Sequence, residues 1–99
     1  MINIRISVEA LDDLDDGFWF YEAQEPGLGD YFSSQLLADI DGLKVTAGIH
    51  KQGGTGYHRL LSRKFPYAIY YTFENEAAIV WAVVDCRRNP EWIRKHLES

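Results

Sequence analysis

Several things are scarce in this chain, and each shortage excludes something. A single cysteine, Cys86, rules out an internal disulfide and fits a reducing compartment. No apolar run is long enough to cross a bilayer, and Met1–Ser7 lacks the apolar stretch of a signal peptide. The expectation is therefore a cytoplasmic protein with no membrane role. There are no internal repeats and no low-complexity segments. His50 has no other His, Cys or carboxylate at metal-ligand spacing, so neither a metal nor a cofactor is expected. Basic residues are scarce in the first half. Residues 1–50 carry ten acids against Arg5 and Lys44, net −8, whereas residues 51–99 carry eight bases against five acids, net +3, within a total of −5. The acidic half opposes the approach of phosphates and argues against indiscriminate nucleic-acid binding.

What is present fits one domain spanning residues 1–99. Hydrophobic residues make up 46% and charged residues 25%, an ordinary balance for a globular fold. The stretch from Tyr57 to Pro90 organises the rest. Tyr57–Leu61, Tyr67–Phe73 and Ala78–Val84 are rich in β-branched and aromatic residues and are separated by short gaps, which predicts a three-strand antiparallel meander. Ala78–Val84 is nearly continuous in apolar residues and reads as buried on both faces. Arg59, Arg63, Lys64, Arg87 and Arg88 fall at the turns and ends of the meander.

Ahead of it, Ile2, Ile4 and Ile6 alternate with polar residues as in a strand with one buried face. Ser7 is placed to cap a helix in which Leu11, Leu14, Phe18 and Tyr21 share one face. The run Phe18–Tyr21 is too dense for one stripe, so Trp19 or Phe20 needs a second surface, either under the next helix or against a partner. Pro26-Gly27-Leu28-Gly29 makes a turn. A second helix is expected from about Asp30, as N-cap, to Leu43 or Val45, with Phe32, Leu36, Ile40 and Leu43 facing the core. Residues 46–56, with four glycines, read as a loop. Asn89-Pro90 reads as the cap and first turn of a short terminal helix, and Trp81, Trp92 and Cys86 read as interior. The fold class is α+β: an N-terminal strand, an antiparallel helical hairpin packed on a sheet with the meander, and a short C-terminal helix.

This order, with Phe20-Tyr21, Pro26–Gly29, Tyr57-His58-Arg59-Leu60-Leu61, Phe65-Pro66-Tyr67-Ala68-Ile69-Tyr70-Tyr71 and Ala82–Pro90, resembles the ParE branch of the RelE/ParE toxin superfamily. The resemblance spans nearly the whole chain. It implies the toxin of a type II toxin–antitoxin module, often called a plasmid-stabilisation protein, held by a cognate antitoxin. A homo-oligomer is allowed when that antitoxin is missing. ParE-like members are associated with poisoning DNA gyrase by binding, whereas RelE-like members are ribosome-dependent endoribonucleases acting on mRNA. On the first reading, Trp19, Phe20, Arg59, Arg63, Lys64, Arg87 and Arg88 meet the target or antitoxin. On the second, the catalytic set would be Arg59, Arg63, Lys64, Arg87 and His96. The chemistry argues for the first. RNA cleavage needs a base for the 2′-hydroxyl and an acid for the leaving oxygen. Yet no Tyr follows Tyr71, His58 and adjacent Arg59 point to opposite faces of a strand, and His96 reads as a surface residue near a helix end.

Overall fold

A computed structural model describes residues 1–52 and 56–98. The elements run β1 (Asn3–Ile6), α1 (Val8–Glu22), α2 (Leu28–Asp41), α3 (Leu43–Thr46), β2 (His58–Leu61), β3 (Tyr67–Glu74), β4 (Ala77–Asp85) and α4 (Pro90–Glu98). The meander forms as its punctuation requires. β3 and β4 join through Asn75 and Glu76, both in the left-handed region (φ 50 and 59), the twist that a two-residue hairpin favours. The strand order is β1-β4-β3-β2, with β1 parallel to β4 and the other pairs antiparallel.

Ser7 caps α1 as expected, its Oγ accepting from the Ala10 N–H at 3.0 Å. The face that α1 buries is rotated from the expected one. Ala10, Asp13, Leu14, Gly17 and Tyr21 are buried, while Leu11 is 50% exposed and Phe18 half-buried. Small residues decide this. Gly17 lets α2 come so close that a Cβ there would lie 2.5 Å from the Phe32 ring, so the contact stripe follows Ala10 and Gly17 rather than the larger side chains.

The second helix starts three residues earlier than expected. Gly27, at φ 91, takes the N-cap position in place of Asp30. The Glu22 carboxylate, at the end of α1, accepts from the N–H groups of Gly27 at 3.1 Å and Gly29 at 3.0 Å. One acid thus satisfies donors that the start of α2 leaves over. Phe32, Leu36, Ile40 and Leu43 are buried as expected.

The hairpin packs on one face of the sheet, against Tyr67, Ile69, Tyr71, Ala78, Val80 and Val83. Tyr21, Phe32, Phe65 and Tyr67 form a ring cluster with centroids 4.9 to 6.2 Å apart, tying the β2–β3 turn to both helices. A smaller core of Ala68, Tyr70, Ala82 and Val84 occupies the other face under Ile93 and Leu97 of α4. β4 is less buried than expected because it bulges. Tyr70 pairs with Ala82 but Tyr71 with Val80, leaving Trp81 as the extra residue. Trp81 is 38% exposed and its Nε1 donates to Thr72 Oγ1 at 2.9 Å, so it is not interior. Trp92, also 38% exposed, is not interior either, because α4 turns Ile93 and Leu97 to the sheet instead. Cys86 is half-buried. No helix among the described residues is long and apolar enough to cross a membrane.

Candidate functional site

Of residues 46–56, read as a loop, 53–55 lie outside the described residues. Its described part is anchored through histidine. His50 Nδ1 meets Tyr71 Oη, which also accepts from the Gly48 N–H at 3.0 Å. His58 stacks on Tyr71 at 5.0 Å and its Nδ1 meets the His50 carbonyl at 2.6 Å. Burial pushes the His50 imidazole below its usual range, with the neighbouring His58 adding to the effect. Both rings brace the loop on the hairpin face of the sheet. As the alternation of a strand requires, Arg59 points the other way. No group of His, Cys, Asp and Glu among the described residues is placed to hold a metal.

The remaining cations gather at one end of the sheet. The Cys86 N–H donates to the Pro66 carbonyl at 2.8 Å, which sets the β2–β3 turn beside the exit of β4. Arg63 and Lys64 in that turn, and Arg87 and Arg88 beyond β4, therefore share an end. The turn is fixed from behind by Asp39 of α2, whose Oδ2 accepts from Ser62 Oγ at 2.8 Å and from the Arg63 N–H at 3.3 Å. Arg63 and Lys64 are exposed and make no ion pair among the described residues. Arg59 lies exposed on the face away from the hairpin, its Nη2 3.8 Å from Cys86 Sγ.

Arg87 and Arg88 divide their roles. Arg87 forks onto Asp85, with Nε to Oδ1 at 2.9 Å and Nη2 to Oδ2 at 2.6 Å, while its own N–H donates to Oδ1 at 2.8 Å. That hydrogen bonding is the main reason the Asp85 carboxyl lies below the usual carboxylate range. Arg88 lies 4.1 Å over the Trp92 ring.

His96 is not the surface residue that its place in the sequence suggested. Its Nε2 meets Asp13 Oδ1 at 2.8 Å, and Asp13 is only 9% exposed. The other carboxylate oxygen accepts from the Val83 N–H at 2.9 Å. The register explains why: β1 pairs with β4 only as far as Val80, so the next stretch of β4 has no strand beside it and Asp13 serves one of its donors. Burial raises the Asp13 carboxyl above its usual range, with the Val83 and His96 contacts acting against that. The apolar periodicity of Leu11, Leu14, Phe18 and Tyr21 gives no sign of this role for Asp13. The signal that could have found it is the small-residue spacing of Ala10 and Gly17.

Asp13, Phe20, Tyr67, Arg88, Trp92 and His96 border a cavity of about 330 Å³ at this β4 edge. It holds an imidazole and a guanidinium. His96 Nε2 is engaged with Asp13, and the Tyr67 phenol is pushed up to about 12, chiefly by burial. Of the cations, Arg59 lies against the Cys86 thiol while Arg63 and Lys64 are exposed at the turn, where they offer charge for contact.

Apolar contact surface lies on the hairpin. Trp19 is 60% and Phe20 53% exposed, so both escape the core. Phe20 borders the β4-edge cavity, whereas Trp19 lies in a groove between α1 and α2.

No protein-family model matches the sequence, and no curated protein is significantly similar to it. Among solved structures, the fold matches a chain described as "Chromosomal ParDE TA system from P. aeruginosa", with a TM-score of 0.78 at 13% identity. The match covers 86% of this chain and 96% of that one. The α+β architecture read from the sequence is thus the fold of that structure.

Proposed function

We propose that this chain is the toxin of a type II toxin–antitoxin pair, ParE-like, acting in the cytoplasm by binding a target such as DNA gyrase. A cognate antitoxin neutralises it. The carrying observation is the fold match over 96% of a chain from a ParDE TA structure. The site chemistry favours contact over catalysis: Arg87 is spent on Asp85, and His96 Nε2 on Asp13. Arg63, Lys64 and Arg88 at the sheet end, Arg59 on the face away from the hairpin, and the exposed Trp19 and Phe20 form the contact set for target and antitoxin. Without the antitoxin, the exposed apolar residues of the hairpin favour self-association.

The test is induction in growing cells, alone and together with the product of the adjacent gene. Growth arrest with filamentation and a DNA-damage response, relieved by that product, is expected. Unimpaired growth at high expression would remove the toxin reading.

A ribonuclease is the second reading, favoured by one observation: Arg88 and His96 border the same cavity. It would act on mRNA at the ribosome. Halted translation with cut transcripts on induction, abolished by His96→Gln, is the outcome that would select it.

A further inference from the structure

Residues 48–52 lie as a strap along the β2 side of the sheet, fastened by two imidazoles. Gln52 pairs with His58 in an antiparallel bridge, so the strap covers the outer edge of β2 at that point. The other contacts converge on one oxygen, Tyr71 Oη. Tyr71 is fully buried, and burial raises its phenol above the usual range, so it keeps its proton through the neutral and acid range. The oxygen accepts from the Gly48 N–H at 3.0 Å and takes a second backbone hydrogen bond from His50. A hydroxyl has two lone pairs and one proton. With both lone pairs engaged, the Tyr71 proton goes to His50 Nδ1.

That arrangement accepts one form of the ring. Nδ1 must be bare, so the His50 imidazole is neutral, with its proton on Nε2. An imidazolium would turn an N–H toward an oxygen with no lone pair left. His58 sets no such condition. Its Nδ1 faces the His50 carbonyl, which can only accept, so that nitrogen carries a proton in either charge state. The surroundings do not favour an imidazolium at His50 either. The groups that face it are the Tyr71 phenol of β3 and the His58 imidazole of β2, with exposed Lys51 beside it in the strap. None is an anion, and neither histidine has a carboxylate partner among the described residues. Residues 53–55 are Gly-Gly-Thr and carry no charge. Burial, with His58 adding to it, lowers the His50 ring in agreement with the hydrogen bonding.

We propose that His50 is a proton-operated clasp: protonation of its ring unfastens residues 48–52 from Tyr71 and bares the outer edge of β2. In the open strap the ring titrates at an ordinary 6.5, and in the closed strap it holds its proton less tightly. The closed strap is therefore at full strength above 6.5 and weakens as pH falls below it. Opening leaves backbone groups of an edge strand without a neighbour. The clasp is independent of the toxin reading, and a chain without toxicity would leave it standing.

Nuclear magnetic resonance on the whole chain tests this by following the His50 ring and the Gly48 amide from neutral to mildly acid pH. The His50 ring should titrate below 6.5. The protection factor of the Gly48 amide, from which the intrinsic pH dependence of exchange is removed, should fall by up to about tenfold for each pH unit below that value, until the ring itself protonates. His50→Asn sets a carbonyl oxygen where Nδ1 stands and cannot titrate, so its Gly48 protection should stay level over the same range. A His50 ring that titrates at or above 6.5, or level Gly48 protection in the parent chain, overturns the proposal. So does the same fall in His50→Asn, because another group would then work the strap. The two readouts on the parent chain decide the matter even if the variant does not fold.

Discussion

Gly17 leaves the hairpin no room for a side chain. Alanine is better than glycine inside a helix by about 1 kcal/mol, yet its Cβ would fall 2.5 Å from the ring of Phe32, which is fully buried and fixed among Tyr21, Phe65 and Tyr67. Gly17→Ala should therefore destabilise the protein by about 1–3 kcal/mol, read from the urea midpoint. A gain in stability would mean that the helices separate freely. Asp13 is the second residue on which packing turns. Asp13→Ala leaves the Val83 N–H without its acceptor and unfastens His96, a loss of about 1–3 kcal/mol. Asp13→Asn keeps an acceptor and should retain part of that. Neither role was legible in the sequence. Periodicity weighs large apolar residues, and here a glycine and an alanine set the contact while a carboxylate fills a gap in the sheet edge.

Strands and caps were more legible than helix faces. The three meander strands and β1 fall where the alternation put them, because β-branched runs and short turns leave one pairing that buries them. β1's parallel seat beside β4 is invisible locally, since it depends on the crossover that the whole hairpin makes. The start of α2 shows the same limit, because its cap is supplied by Glu22 from the preceding helix. Glu22→Ala should cost about 1 kcal/mol, as loss of a capping acceptor does, and Glu22→Gln less. Thermal unfolding of the two variants measures the difference. If both match the parent protein, the carboxylate is not capping α2. The basic residues of the candidate site were legible as a set. Which of Arg87 and Arg88 pairs with an acid was not, because only the fold shows that Arg87 is tied to Asp85 while Arg88 lies on Trp92.

The molecule as a whole separates charge, with an anionic helical hairpin on one face and cations at one end of the sheet. Its joint between the two is the ring cluster at Tyr67, and that joint has a pH signature. The Tyr67 phenol ionises at an ordinary 10.0 when exposed and at about 12 in the fold. The native state thus holds this proton more tightly than the unfolded chain. The contribution to stability is intact below 10.0 and is lost as pH rises from there towards about 12. An ultraviolet titration should show late tyrosinate absorbance that Tyr67→Phe reduces without abolishing, because burial also pushes Tyr21 and Tyr71 up; a single step for all tyrosines near 10.0 would contradict the burial described. The most direct measurement of the central claim, that this surface binds rather than cleaves, uses the purified chain with purified DNA gyrase and, in parallel, with a translating extract containing a defined mRNA. The account predicts impaired supercoiling and intact message, with Arg63→Ala/Lys64→Ala weakening the effect on gyrase. Cut message beside unaffected supercoiling would contradict it.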